Sequence, residues 1–229
     1  MQTVAEKHLI RRLSEFLQGN GQNARILNLG AAQSTVIENH LVKQDLTFVC
    51  DRCDVDDCKV EAPFAGEAHI CPLEQLEPFA SEAYDAAFAN FVLEHVADPE
   101  SASREMARIL KPGGRLILTL SNPQAPEFVL ASVTPLGFHQ LVKGSGEGKE
   151  AHAVEYAYGS VDRLRESLER AGLRLVEETR FPATFSYLYR FPVLSLLSRA
   201  YDASIEKMRL RRLMGHACLT LEKPGPHPE

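Results

Sequence analysis

The chain has 229 residues, with 31 acidic against 25 basic side chains and 45% hydrophobic residues. This length suits one α/β domain with insertions, and a net charge of -6 argues against a nucleic-acid partner held by phosphate neutralisation, leaving a small-molecule substrate. No apolar run reaches the roughly 18 residues of a membrane-spanning helix, and the start Met1-Gln2-Thr3-Val4-Ala5-Glu6-Lys7 lacks an apolar signal core, so a cytoplasmic location is expected.

In chain order, Val4, Leu9, Ile10, Leu13, Phe16 and Leu17 recur at helical spacing among charges. They predict a helix over 3–18, ended by Gly19-Asn20-Gly21. Arg25–Leu29 reads as a short apolar strand stopped by Gly30. Thr35 and Glu38 have the spacing of a capping box, which predicts a helix over 34–43. Leu46–Cys50 is a second buried strand ending at Asp51, and a third ends near Ile70-Cys71. Asp85–Ala89 is the fourth strand. Asp98 as N-cap and Pro99 at the first helical position open the next helix. Arg115–Leu120 is the fifth strand, and Ser160 caps a helix striped by Val161, Leu164 and Leu168 and closed by Gly172. Leu173–Thr179 and Ala217–Leu221 supply two last strands. The alternation predicts a doubly wound, mostly parallel sheet in a three-layer α/β/α arrangement. Residues 122–157 and 181–214 break it and are expected to roof a substrate pocket. The organisation expected is an N-terminal helix over 1–23, one domain over 24–224 carrying those two insertions, and a loose tail over 225–229.

In such a sheet, ligands bind outside the carboxyl ends of the strands, where the strand order reverses. The first strand ends in Asn28-Leu29-Gly30-Ala31-Ala32-Gln33. Gly30 permits a tight turn, and Ala32 still allows fairly close backbone approach. Only the first glycine of a G-x-G-x-x-G fingerprint is present, which weighs against NAD or FAD. Asp51 stands about twenty residues beyond Gly30, where a carboxylate can accept both ribose hydroxyls of an adenosine. NAD and S-adenosylmethionine share that demand.

A second signature separates them. Phe91-Val92-Leu93-Glu94-His95-Val96-Ala97-Asp98-Pro99, followed by Arg108-Ile109-Leu110-Lys111-Pro112-Gly113-Gly114, resembles the segment after strand four in class I S-adenosylmethionine-dependent methyltransferases. The likeness is to the type 11, ubiquinone-biosynthesis kind. It extends over about residues 24–121 and weakens beyond. It implies a seven-stranded Rossmann-like sheet whose last strand runs antiparallel. It further implies that Gly30, Ala31, Ala32 and Gln33 line the methionine and ribose of S-adenosylmethionine, with Asn28 standing where the family carries an acid. Asp51 would hold the ribose with Arg52 beside the adenine. Cys71, Pro72 and Leu73 would border the adenine, and Asn90 and Phe91 would face the methionine end. The implied activity is methyl transfer to a small hydrophobic or aromatic acceptor, at oxygen, carbon or nitrogen. The alternative is a cofactor-binding protein of the same fold without transferase activity.

Methyl transfer from a sulfonium is an in-line displacement in which positioning supplies much of the catalysis. A general base is needed only where the acceptor must lose a proton. His139 and His152 are the candidate bases, with Glu155 and Tyr156 nearby, whereas the resemblance gives His95 a structural role. The aromatics Phe181, Phe185, Tyr187, Tyr189, Phe191 and Tyr201 suit an apolar acceptor. The basic run Lys207, Arg209, Arg211 and Arg212 reads as a solvated helix face or as a contact to a membrane surface or an anionic substrate. Cys50, Cys53, Cys58 and Cys71 lack the paired C-x-x-C of a zinc site, and Cys50 lies within a buried strand, so no metal is expected.

Overall fold

The computed structural model describes residues 2–20, 23–133, 154–189 and 192–225. Within them one sheet is built from β1 (Ala24–Leu29), β2 (Phe48–Asp54), β3 (Ala65–Ile70), β4 (Tyr84–Asn90), β5 (Leu110–Ser121), β6 (Arg174–Phe181) and β7 (His216–Glu222). The spatial order is β3-β2-β1-β4-β5-β7-β6. Strands β1 to β5 run parallel, and β7 is antiparallel to both β5 and β6. The doubly wound sheet with an antiparallel last strand is therefore present. Its order reverses between β1 and β4, so the loops leaving those two strands diverge and open a crevice.

Helices α1 (Val4–Asn20), α2 (Val36–Val42), α3 (Pro99–Ile109), α4 (Pro126–Val133), α5 (Val161–Arg170), α6 (Thr184–Leu188) and α7 (Pro192–Lys207) accompany the sheet. Because successive strand residues point to opposite faces, each strand feeds two cores. Leu9 and Leu13 of α1 and Leu41 of α2 meet Ile26, Phe88, Ile117 and Cys218 on one face. Met106 of α3 and Leu164 and Leu168 of α5 meet Leu27, Leu29, Leu116 and Leu118 on the other. Asp98 caps α3 by accepting from the amides of Glu100 and Ser101, and Ser160 caps α5 by accepting from Arg163 N at 3.2 Å.

Two local expectations are corrected. Thr35 makes no side-chain cap bond, and Glu38 turns inward instead of closing a capping box. Its carboxylate is claimed by Arg52 and Asn28, a tertiary demand that overrides a few tenths to about 2 kcal/mol of capping. Strand β2 runs three residues past Asp51, to Asp54. Charged residues ordinarily mark a strand end, yet Asp51 and Arg52 are both buried within the strand because each finds charged partners there. In the expected roof, residues 122–133 contain α4, and residues 181–214 contain α6, α7 and the turn Arg211–Leu213.

Candidate functional site

The loop leaving β1 is fastened to the end of β2. Gly30 N and Ala31 N both donate to Cys53 O, at 2.8 and 3.0 Å, and Ala32 N donates to Asp54 Oδ2 at 2.8 Å. Gly30 has φ of +69°, and a Cβ there would strike the Val92 side chain, so glycine is required on both counts. Ala32 also sits in the left-handed region, at φ +43°, where the family pattern places a second glycine. Gln33 Nε2 reaches Asp57 O at 2.5 Å.

Below the loop lies a buried polar hub. The Arg52 guanidinium pairs with Glu38, and its Nη2 donates to the carbonyls of Ala31, Ala32 and Ser34, while Nε donates to Cys58 O. Asn28 Nδ2 donates to Glu38 Oε1 at 2.7 Å. The other Glu38 oxygen, Oε2, is buried with no hydrogen-bond partner among the described residues. Arg52 is thus a strut under the loop, and its expected place beside an adenine is corrected. An arginine that is 1% exposed must spend its donors on the chain that buries it.

Asp51 is likewise not brought to the loop. It pairs across β1 with Leu27, in mid-sheet, while the strand tips are Leu29 and Asp54. Its Oδ2 accepts from Arg25 Nε and Tyr84 OH, both at 2.7 Å, and Oδ1 accepts from Glu67 N at 2.8 Å. With both oxygens engaged, Asp51 anchors β1, β2, β3 and β4 to one another, and its expected ribose role is corrected. Asp54 is the carboxylate at the strand tip. It accepts from the loop through Ala32 N, and its own carbonyl accepts from Cys71 N at 2.8 Å. Gly30 to Gln33, Asp54 and the Cys71-Pro72-Leu73 turn are therefore neighbours. The sequence did carry a signal for Asp54, the acid three residues further on, once charges are allowed inside β2.

On the β4 side, Asn90 ends the strand and its Oδ1 accepts from Thr119 Oγ1 at 2.6 Å. Phe91 follows with φ of +55°, a left-handed conformation uncommon for a bulky residue, held by its N–H on Thr119 O at 3.0 Å. That turn aims the Phe91 ring at His216, 4.8 Å away edge to face. Phe128 lies 6.1 Å from His216 and 6.2 Å from Tyr156, which is 6.1 Å from Tyr158. These rings pack against one another at the carboxyl ends of β4 and β5, an apolar patch proposed below as the acceptor slot. Burial pushes the His216 pKa down to about 4, so its imidazole is neutral at physiological pH.

Glu94 fixes this wall. Its backbone carbonyl accepts from Glu155 N and Tyr156 N, and its Oε1 accepts from Ser121 N at 2.6 Å. Tyr158 OH donates to Ser121 O at 2.6 Å, so the returning segment is tied to the loop after β4. Glu127, in the first turn of α4, adds a buried carboxyl next to Gly215; a Cβ on that glycine would collide with it. Among the described residues neither Glu127 oxygen makes a hydrogen bond of good geometry, with Thr184 its nearest hydroxyl, and burial, reinforced by nearby Asp202, raises its pKa to about 7. Sequence reasoning missed His216, Phe128 and Glu127, which carry no motif and converge only through the sheet. Its own choices, His139 and His152, lie outside the described residues.

The four cysteines do not all converge: Cys53 and Cys71 lie side by side with Cys58 near them, and Cys50 stands apart. Cys50 faces the α1 and α2 core, whereas Cys53 and Cys71 join the opposite core, and Cys58 Sγ reaches His69 O. Burial raises the Cys50 thiol well above its usual range. Among the described residues, no group of three or more histidine, cysteine or acidic side chains is placed to hold a metal.

Residues 15–118 match the family model described as a methyltransferase domain, and residues 68–181 match the ubiE/COQ5 methyltransferase family. The chain is 36% identical over 114 residues to the demethylmenaquinone methyltransferase of Mycolicibacterium paratuberculosis, covering 47% of this chain and 46% of that protein. It is 30% identical over 120 residues to a ubiquinone/menaquinone biosynthesis C-methyltransferase UbiE from an Enterobacter strain, covering 49% and 48%. The chain spans less than half the length of these curated relatives. A solved structure of a putative sarcosine dimethylglycine methyltransferase from Galdieria sulphuraria aligns over 96% of this chain and 85% of that one, with TM-score 0.61 and 15% identity. That similarity is one of fold.

Proposed function

We propose that this chain is a class I methyltransferase domain that uses S-adenosylmethionine to methylate a small hydrophobic acceptor with an aromatic ring, of the reduced-quinone type. The observation that carries the proposal is the match of residues 68–181 to a quinone methyltransferase family, because that stretch includes Phe91, Phe128, Tyr156 and Tyr158 of the apolar slot. The residues fit such a cofactor. The loop after β1 lacks the glycines a pyrophosphate requires, Asp54 offers a carboxylate at the tip of β2, and Glu38 Oε2 is a buried acceptor without a partner among the described residues. Gly30 to Gln33 with Asn28 and Glu38 would hold the amino-acid part, Asp54 the ribose, Cys71 to Leu73 the adenine, and Asn90 and Phe91 the methyl-bearing end.

The cofactor supplies an electrophilic sulfonium methyl group, so the protein's task is alignment. Phe91, Phe128 and Tyr156 clamp the acceptor ring by apolar and edge-to-face contact. Glu127 takes the acceptor's hydroxyl proton as the acceptor attacks the methyl carbon. A carboxyl lifted to about 7 is poised for that transfer near neutral pH. The test is transfer of a radiolabelled methyl group from S-adenosylmethionine to 1,4-naphthohydroquinone. Native protein is expected to label the acceptor, and Glu127→Gln to lower kcat by about 100-fold with the KM for the cofactor unchanged. Absence of labelling on any hydroquinone or phenol, in protein shown to bind the cofactor, contradicts the proposed acceptor class.

A further inference from the structure

Helix α7 is amphipathic in the reverse sense. Its inward face carries Ser198, Asp202 and Ile205, with Asp202 Oδ2 accepting from Phe185 N at 2.9 Å. The opposite stripe, at helical spacing, is Val193, Leu196 and Leu197, which are 74%, 71% and 61% exposed. A soluble surface helix keeps such side chains inward, and a contiguous apolar stripe left outside marks an interaction surface.

The charge beside the stripe identifies its partner. Residues 199–212 hold five basic side chains (Arg199, Lys207, Arg209, Arg211, Arg212) against two acidic ones, in a chain whose net charge is -6. Arg199 lies over the Phe185 ring and Arg211 pairs with Glu178. Lys207, Arg209 and Arg212 are exposed and form no ion pair among the described residues. A two-fold contact between copies of this chain through the stripe would cover the leucines but leave the basic turn without an anionic partner. An anionic lipid surface satisfies both features, with leucines entering the acyl boundary and basic groups at the headgroups.

We propose that α7 and the basic turn after it dock this chain on an anionic lipid surface. No described helix is long and apolar enough to cross a membrane, so the contact is interfacial. The inward face of α7 looks toward Glu127, whose charge is felt by Tyr201 and which is itself shifted by Asp202. Docking therefore presents the slot's side of the molecule to the bilayer, the phase from which an apolar acceptor would enter; this last point rests on the proposed function.

The experiment is flotation of the full chain with vesicles of phosphatidylcholine, with and without about 30% phosphatidylglycerol. Binding is expected only to the anionic vesicles, with release at about 0.5 M salt. The pairs Leu196→Glu with Leu197→Glu, and Arg209→Glu with Arg212→Glu, should each weaken it by about 10-fold or more. All four positions are exposed, and thermal melts and cofactor titration should match the native chain. No anionic-vesicle binding above the phosphatidylcholine level overturns the proposal. So does an effect of the leucine pair confined to the molecular mass in solution, which would assign the stripe to a second copy. Methyl transfer to a water-dispersed acceptor without vesicle binding removes the docking surface alone. Vesicle binding without transfer removes the acceptor assignment alone.

Discussion

Two buried carboxyls show how residues of one type serve different ends. Asp51 is compensated by Arg25, Tyr84 and Glu67 N, so its removal leaves several donors unpaired in mid-sheet. Asp51→Ala should cost about 3 kcal/mol of stability, read by denaturant unfolding. An unchanged midpoint would mean that the cluster is not holding the sheet. Glu127 faces no cation, only the Thr184 hydroxyl offsets its burial, and its pKa is raised from 4.5 to about 7. The native state therefore binds this proton more tightly than the unfolded chain does. The stability linked to it is present below about pH 4.5 and is lost as pH rises through about 7. Glu127→Gln carries no titrating group and should gain on the native chain by about 2 kcal/mol between pH 5 and pH 8, after allowance for partial exposure. Parallel melting curves for the two proteins across that range would show that the carboxyl titrates normally.

At the scale of elements, caps and strand cores were legible where local chemistry decided the outcome. Asp98-Pro99 and Ser160 open α3 and α5 as their residue types dictate. Ser160→Ala should lower stability by about 1 kcal/mol, measured by denaturant midpoint; no loss would make the Ser160–Arg163 bond decorative. What local reading missed was decided by tertiary pairing. Strand β2 continues through Asp51 and Arg52 because Arg25, Tyr84 and Glu38 lie across from them, which nothing within 46–54 announces. The same cause hides that Asp51 is held in mid-sheet, with Asp54 at the strand tip, and that Glu38 turns inward and caps nothing. The slot was invisible for a related reason: Phe91, Phe128, Tyr156 and His216 come from four separate segments. The glycine-poor loop is the opposite case. Gly30 was identified as a turn glycine, and Gly30→Ala should cost about 2 kcal/mol or more, since it meets both an unfavourable φ and the Val92 side chain.

For the whole molecule, the sheet's reversal between β1 and β4 divides the labour. Loops after β1, β2 and β3 gather Gly30 to Gln33, Asp54 and Cys71, while β4, β5 and the start of β7 gather the aromatic slot and Glu127. The fold was readable from strand–helix alternation and the resemblance after strand four, because both express the chain's long-range order. In the proposed function the β1–β3 side binds S-adenosylmethionine, with Asp54 at the β2 tip as its ribose acceptor. Calorimetric titration of the native chain, Asp54→Ala and Asp51→Asn with S-adenosylmethionine, and of the native chain with NAD, tests it most directly. Binding of S-adenosylmethionine but not of NAD is expected. A loss of about 10- to 100-fold is expected in Asp54→Ala, with near-native affinity in whatever Asp51→Asn protein remains folded. Native affinity in Asp54→Ala, or a heat of NAD binding equal to that of S-adenosylmethionine, would contradict this assignment.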